Sequence, residues 1–208
     1  ITPRTALVSL SYANGLTGVI NPIDEIAALC QSRGIALHID VTHVLGRIFF
    51  DLSEIKPTFL TFNGDHLHTP KGIGGLYIKE GVKCSPFIAG GMEQGALRSG
   101  SLNVASLAAL GIAAKELIDA SDFVCTEIAR LRNKFEEEIE ARVKDATIFF
   151  KSSPRIPTIA CIGFKGIPNE LMLYHLNRKN LFASIGGGSF QQIGLILGSS
   201  LVEKSLGC

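Results

Sequence analysis

The first eighty residues combine short apolar runs with one amphipathic segment. Strands are predicted at 6–10, 35–39, 59–62 and 75–78, where each apolar run is short and nearly continuous. Between the first two strands, apolar side chains recur at helical spacing, which predicts a helix that begins at Asn21-Pro22 and ends at Gly34. Strand, helix and strand in this order favour a parallel sheet covered on both faces.

The second half of the chain has a different character. Two long helices are predicted at 104–120 and 122–143. After a change of composition come a strand at 158–163, a helix at 169–177 and a short strand at 181–184. The pattern predicts an α/β fold with a large domain over 1–143, built on a mostly parallel sheet. A smaller C-terminal α+β domain is expected over 144–208.

Composition and charge narrow the class of protein. Hydrophobic residues make up 46% and charged residues 19% of the chain, and the net charge is +1, which does not indicate a nucleic-acid or membrane surface. The five cysteines are scattered and form no C-x-x-C pair, so neither a disulfide framework nor a zinc site is predicted and a cytoplasmic location is expected. Because the chain opens without methionine, we expect a fragment of a longer protein.

Polar residues follow three of the predicted strands. Asn14 comes after the first, Asp40 and His43 after the second, and Asn63 and His66 after the third. In an open parallel sheet, ligands bind beyond the carboxyl ends of the strands. Each cluster alone is most often a turn or a helix cap. Together they predict a site at one edge of the sheet.

The order of these motifs resembles a known family. The runs HIDVTHVLG, TFNGDHLHTPKGIGGLYI, GGMEQGALRSGSLNV and NELMLYHLNRKNLFASIGGGS are similar to those of fold type I pyridoxal-phosphate (PLP) enzymes of aminotransferase class V. Within that class the chain most resembles the NifS-type cysteine desulfurases. The resemblance implies a three-layer PLP-transferase-like large domain, PLP as cofactor and L-cysteine or a similar amino acid as substrate. It also implies a homodimer.

The resemblance assigns roles to several residues. Asp40 matches the acid that pairs with the pyridine nitrogen of PLP, where a carboxylate keeps that nitrogen protonated. Asn14 and His43 match residues that face the ring hydroxyl. Asn63 stands in the segment that carries the cofactor lysine. Ser101 stands in place of a threonine that reaches the phosphate of the neighbouring subunit, although a loop hydroxyl that caps the helix at Val104 is an alternative.

Three positions depart from the family pattern. His66 replaces the lysine that forms the Schiff base, and an imidazole has no primary amine with which to form one. Asp65 replaces a histidine near the phosphate and adds a negative charge beside a dianion. Ser189 aligns with the cysteine that accepts sulfur, and a serine cannot carry a persulfide. The chain has Lys71 nearby, where the family also has a lysine that it does not use for the cofactor.

Three functions remain open at this point. The first is an active PLP-dependent cysteine desulfurase that supplies sulfur for iron-sulfur cluster assembly. The second is a catalytically inactive family member that acts as a binding or scaffold subunit, with a sulfur-acceptor protein or an active paralogue as its partner. The third is an enzyme that uses PLP non-covalently with His66 as the base. The replacements at His66 and Ser189 predict that this chain does not desulfurate cysteine.

Overall fold

The structure, a computed structural model, describes residues 1–185 of the 208-residue chain. Its main sheet has four strands in the order β1-β2-β3-β4. The strands are Leu7–Ser11 (β1), Ala36–Asp40 (β2), Phe59–Asn63 (β3) and Gly74–Ile78 (β4). The first three strands pair in parallel and β4 runs antiparallel to β3. The α/β class and the mostly parallel sheet expected from the sequence are therefore confirmed.

Helix Ile23–Ser32 (α1) connects β1 to β2 and buries one stripe of side chains. Its buried residues Ile23, Ala27 and Cys30 follow the helical spacing of the sequence. Pro22 occupies the N-cap position and makes no side-chain cap, and the Nδ2 group of Asn21 donates a 2.7 Å hydrogen bond to Ser11 O. Asn21 thus joins the start of α1 to the end of β1.

The core lies between the sheet and the segments that pack on it. The fully buried side chains include Ile39, Val41 and Val44, which come from β2 and the loop after it. Ile156, far along the sequence, is also fully buried and belongs to the same apolar cluster. A short helix, Leu52–Ile55 (α2), precedes β3, and the side chain of its N-cap, Asp51, accepts from Ser53 N.

A long helical segment follows the loop after β4. Helix Val104–Phe123 (α3) continues through a π-helical turn at Val124–Ile128 into helix Ala129–Arg142 (α4). The sequence predicts two separate helices here, but no glycine or proline interrupts the chain between them. At the turn, Thr126 Oγ1 donates a 2.6 Å bond to Asp122 O, a side-chain contact that competes with the helical ladder.

Shorter elements follow α4 in the described part of the chain. Strands Ala146–Ile148 (β5) and Ile162–Phe164 (β6) form a two-stranded sheet, and helix Asn169–Asn177 (α5) follows. The helix matches the prediction, and β6 is shorter than the strand expected at 158–163. The strand predicted at 181–184 is wrong, since these residues are irregular and Phe182 is 87% exposed. An apolar run without a paired neighbour does not form a strand.

The chain divides into two compact units. One is formed by Ile1–Ile139 with Ile148–Cys161, and it contains the four-stranded sheet and the core. The other contains Glu140–Thr147 and the described residues from Ile162 onward. The sequence-based boundary between 143 and 144 remains a prediction. Among the described residues, no helix combines the length and the apolar character needed to cross a membrane.

Candidate functional site

The carboxyl ends of three parallel strands lie side by side. In the register of the sheet Ser11 pairs with Asp40, and Asp40 pairs with Thr61, two residues before the end of β3. Each strand therefore delivers its following loop to the same edge. This is the edge at which α/β proteins bind ligands. The clustering predicted from the polar residues after β1, β2 and β3 is present at the level of the backbone.

Asn14 folds the loop after β1 onto itself. Its Oδ1 accepts hydrogen bonds from Leu16 N at 2.8 Å and Thr17 N at 2.9 Å, an Asx-type turn. Its backbone N–H donates to Val19 O at 2.8 Å. The side-chain oxygen is thus occupied by the loop, and the amide nitrogen is the atom with which Asn14 can meet a ligand.

Asp40 is the last residue of β2 and is half-buried. One carboxylate oxygen, Oδ1, accepts a 2.8 Å hydrogen bond from Thr42 N. Thr42 is itself buried, and its Oγ1 accepts from Asn63 N at 3.1 Å, which links the ends of β2 and β3. The Asp40 carboxylate is therefore fixed by the turn that follows it, while its second oxygen can accept from a cationic ring nitrogen.

His43 is half-buried beneath the loop after β1. A side chain at Gly15 would collide with its imidazole ring, so the backbone of Gly15 lies directly on that ring. Burial lowers the pKa of His43, the charges of His66 and Arg47 lower it further, and the Asp40 carboxylate acts in the opposite direction. A lowered pKa favours the neutral imidazole, which can accept a proton.

The segment after β3 forms a tight 3-10 turn, Gly64–Leu67. The side chain of Asn63 caps it, because its Oδ1 accepts from Asp65 N at 3.2 Å. This turn brings His66 next to His43, with ring centroids 4.8 Å apart and the rings nearly perpendicular. The structure thus brings together His43 and His66 from two neighbouring strand ends.

Asp65 and Lys71 occupy different surroundings. The Oδ1 atom of Asp65 is buried and accepts no hydrogen bond from the residues that the structure describes. Lys71 is exposed on the turn that precedes β4. An uncompensated carboxylate oxygen beside the His66 turn makes that side of the site unfavourable for an anion.

Ser101 and Ser189 are the remaining residues singled out from the sequence. Ser101 lies on the exposed loop before α3. It does not cap that helix: the cap is Asn103, whose Oδ1 accepts from Ser106 N at 3.1 Å, so the alternative role of Ser101 is wrong. Ser189 lies outside the described residues. No cluster of three or more metal-ligating side chains occurs in residues 1–185.

Sequence reasoning missed two residues of the site. Thr42 bridges the strand ends through its hydroxyl, and Gly15 provides the surface on which His43 packs. Thr42 lies inside the run HIDVTH, so its position next to Asp40 was a usable signal. Nothing in the sequence marks Gly15, because its role depends on a ring that approaches from another strand.

The comparisons with known proteins agree with the geometry. The sequence model of the aminotransferase class-V family matches residues 1–197. The chain is 36% identical over 187 residues to a cysteine desulfurase of Nostoc sp., which covers 89% of the chain and 46% of that protein. It is 36% identical over 186 residues to the cysteine desulfurase NifS of Azotobacter vinelandii, with the same coverage of 89% and 46%. The chain spans about half the length of the relatives it matches.

Solved structures give the same result for the fold. A NifS-like protein superposes with a TM-score of 0.82 at 25% identity, covering 88% of this chain and 50% of that one. The cysteine desulfurase CsdA of Escherichia coli, at 22% identity, has the same fold with a TM-score of 0.75 over 87% of this chain and 49% of its own. Class-V aminotransferases and cysteine desulfurases are PLP-dependent, which is the cofactor that the sequence resemblance implies. The chain belongs to the aminotransferase class-V family and, within it, is similar to the NifS-like cysteine desulfurases.

Proposed function

We propose that this chain is part of a cysteine desulfurase-like protein that does not remove sulfur from L-cysteine by the covalent chemistry of its family. The observation that supports this is the contact of His66 with His43 at the sheet edge. Where the family has its Schiff-base lysine, an imidazole occupies the space, and it has no amine to condense with an aldehyde.

The fit of the site to PLP differs between its two sides. Asp40, His43 and the amide nitrogen of Asn14 suit the ring, because they offer an acceptor for the pyridine nitrogen and polar groups for the ring hydroxyl. The side at His66 and Asp65 does not fit a covalently held phosphorylated cofactor. It lacks the amine, and it adds a buried carboxylate oxygen without a hydrogen-bond donor in the described chain.

A second candidate is a binding or scaffold subunit without catalytic activity. The loop before α3 favours it, since Phe87 is 99% exposed and Met92 is 80% exposed. Exposed large apolar side chains of this kind occur at protein–protein contacts. The partner would be a sulfur-acceptor protein or an active paralogue. We also propose a homodimer in which Ser101 faces the neighbouring subunit. The proposed location is the cytoplasm.

The deciding experiment is an absorption spectrum of the full-length protein with added PLP, before and after borohydride reduction. We expect a spectrum of free PLP that dialysis removes. The His66→Lys variant should give a shifted band that reduction locks onto the chain. The control is His68→Lys, which adds an amine on an exposed residue two positions away. It should trap no PLP.

Three other results change the conclusion. A reducible band in the unmodified protein would show that another lysine, such as Lys71, has replaced the missing one, and the proposal would fail. Alanine and sulfide formed from cysteine by the unmodified protein would also refute it. If His66→Lys folds but traps no PLP, the pocket itself is lost, and the binding subunit becomes the better explanation.

A further inference from the structure

Glu136 and Arg155 form a buried ion pair outside the candidate site. Arg155 donates to Glu136 through two parallel bonds, Nη1 to Oε1 at 2.7 Å and Nη2 to Oε2 at 2.9 Å. The two side chains are only 4% and 3% exposed. Two charges of this kind lose their hydration on folding, so a buried pair is weak evidence of a gain in stability. Its paired bonds do fix the direction and distance of both groups.

The backbone around Arg155 runs beside the loop after β1. Arg155 and Val19 form an isolated antiparallel bridge. On either side of it, Ile20 N donates to Pro154 O and Ile156 N donates to Gly18 O, each at 2.9 Å. These main-chain bonds tie the position of 18–20 to that of the 154–156 segment.

A second side chain from α4 secures the same segment. Arg132 Nη1 donates to Ile156 O at 2.9 Å. Ile156 is fully buried in the core, so its carbonyl oxygen has no access to bulk water as an alternative partner. Helix α4 therefore binds two successive residues of the 154–156 segment. Glu136 pairs with Arg155, and Arg132 donates to the carbonyl oxygen of Ile156.

The 14–19 loop connects the 18–20 segment to the candidate site. Asn14 N donates to Val19 O at 2.8 Å and Gly18 N donates to Asn14 O at 2.9 Å, so 14–19 closes into a compact turn. Gly15 lies in that turn, with its backbone on the ring of His43. The ring of His43 in turn contacts His66. A continuous set of contacts therefore leads from Glu136 to the two histidines.

We propose that the Glu136–Arg155 ion pair positions the candidate site, by fixing the 14–20 loop and thereby holding Gly15 against His43. Both residues are positioning residues, because neither reaches the site itself. The inference goes beyond the proposed function and does not depend on it, since the contacts are the same whatever ligand the site binds.

The test is a titration of the histidine rings by NMR in the full chain. The Glu136→Gln variant keeps an acceptor for Arg155 and removes the charge, and Arg155→Lys keeps the charge and removes the two-point geometry. If the loop loosens, water reaches the ring of His43 and the largest cause of its lowered pKa weakens. The charges that face the ring, His66, Arg47 and Asp40, are unchanged. We expect an upward shift of the His43 pKa in both variants.

Two controls separate positioning from a general loss of stability. Glu137→Gln removes the same charge at the next residue, which lines the same cavity as Glu136. It should leave the His43 titration unchanged. The ring of His38 lies elsewhere on the sheet, bonded to Ser9 Oγ at 2.7 Å and Thr61 Oγ1 at 2.9 Å, and its signals at a fixed pH should not move. No shift of His43 in a folded variant, or an equal response in either control, would overturn the proposal.

A measurement on the unmodified chain covers the case in which neither variant folds. The proposal requires the bonded amides of Asn14, Ile20 and Ile156 to open as one unit. Their hydrogen-exchange protection should therefore agree within roughly tenfold. Protection that differs by much more than this among the three amides would show that the loop moves independently of the segment beside Arg155, and the proposal would be wrong.

Discussion

The rings of His66 and His43 meet edge to face, with centroids 4.8 Å apart and planes at 82°. One ring comes from the turn after β3 and the other from the loop after β2, so the contact joins two neighbouring strand ends. Two imidazolium ions at this separation repel each other. His66 accordingly lowers the pKa of His43, after burial, which is the larger cause.

The lowered pKa of His43 predicts a specific pH dependence of stability. Between the folded pKa and the ordinary value near 6.5, the unfolded chain binds more protons than the folded chain. The free energy of unfolding therefore rises with pH through this window, and the contribution of His43 is lost as the pH falls below about 6.5. In the His43→Gln variant, the loss of stability between pH 7.5 and pH 5.5 should be smaller than in the unmodified chain, as measured by urea unfolding.

The comparison needs a control, because carboxylates also begin to titrate near pH 5.5. His175→Gln makes the same change at an exposed position in α5. Its pH dependence should match that of the unmodified chain. If His43→Gln and His175→Gln behave alike, the burial of His43 does not affect folding in this range.

Gly15 gives a steric prediction. A Cβ atom there would collide with the ring of His43, and the backbone of Gly15 has no positive φ that could add a separate cost. Gly15→Ala should lower the free energy of unfolding by about 1–3 kcal/mol, the usual cost of forcing a methyl group into a packed site. It should also displace the His43 ring signals in an NMR spectrum.

Gly111 is the matched control for Gly15. It lies inside α3, and a Cβ atom there meets nothing within 4 Å. Gly111→Ala should raise the free energy of unfolding by roughly 0.5–1 kcal/mol, because alanine restricts the unfolded chain and favours the helix. A similar loss of stability in both variants would show that contact with His43 is not the cause at Gly15.

The sequence was sufficient for the features that depend on local pattern. The apolar runs locate β1, β2, β3 and β4 to within a residue, because a short apolar run is a local pattern typical of a strand. The polar residues that follow three of these strands lie at one edge because parallel pairing forces them there. Helix α5 was also predicted at its observed bounds.

The features that were not predicted depend on partners distant in sequence. The pairing of Val19 with Arg155 leaves no local signal. The antiparallel direction of β4 is the exception, because the segment 64–73 is too short for a parallel crossover from β3 and was a usable signal. The buried ion pair of Glu136 was also missed, because in the sequence it is one acid among several on a charged helix face. Its burial and its pairing with Arg155 distinguish it from Glu137, which is exposed.

That burial predicts an asymmetry between two ion pairs of the same helical segment. Glu136→Ala leaves Arg155 buried without a partner, which should cost about 3–5 kcal/mol of unfolding free energy. Glu127 also pairs with an arginine, Arg130 at 2.6 Å, but those side chains are 36% and 60% exposed. Glu127→Ala should have a much smaller effect, because solvent screens that pair. Equal losses in urea unfolding would contradict this account of the buried pair.

We expect Asp65 to limit how well the site accepts the phosphate of PLP. Its Oδ1 atom is buried without a hydrogen-bond donor among residues 1–185. The resemblance drawn from the sequence implies that this position lies near the cofactor phosphate. In the His66→Lys background, Asp65→His exchanges an anion for a donor. The apparent Kd for PLP should fall by about tenfold or more, since one charge at close range changes binding by at least ~1.4 kcal/mol.

Asp119→His in the same background, on the exposed surface of α3, makes the identical change in net charge and should leave the Kd unaltered. If both second substitutions improve binding equally, overall charge is responsible and Asp65 does not face the phosphate.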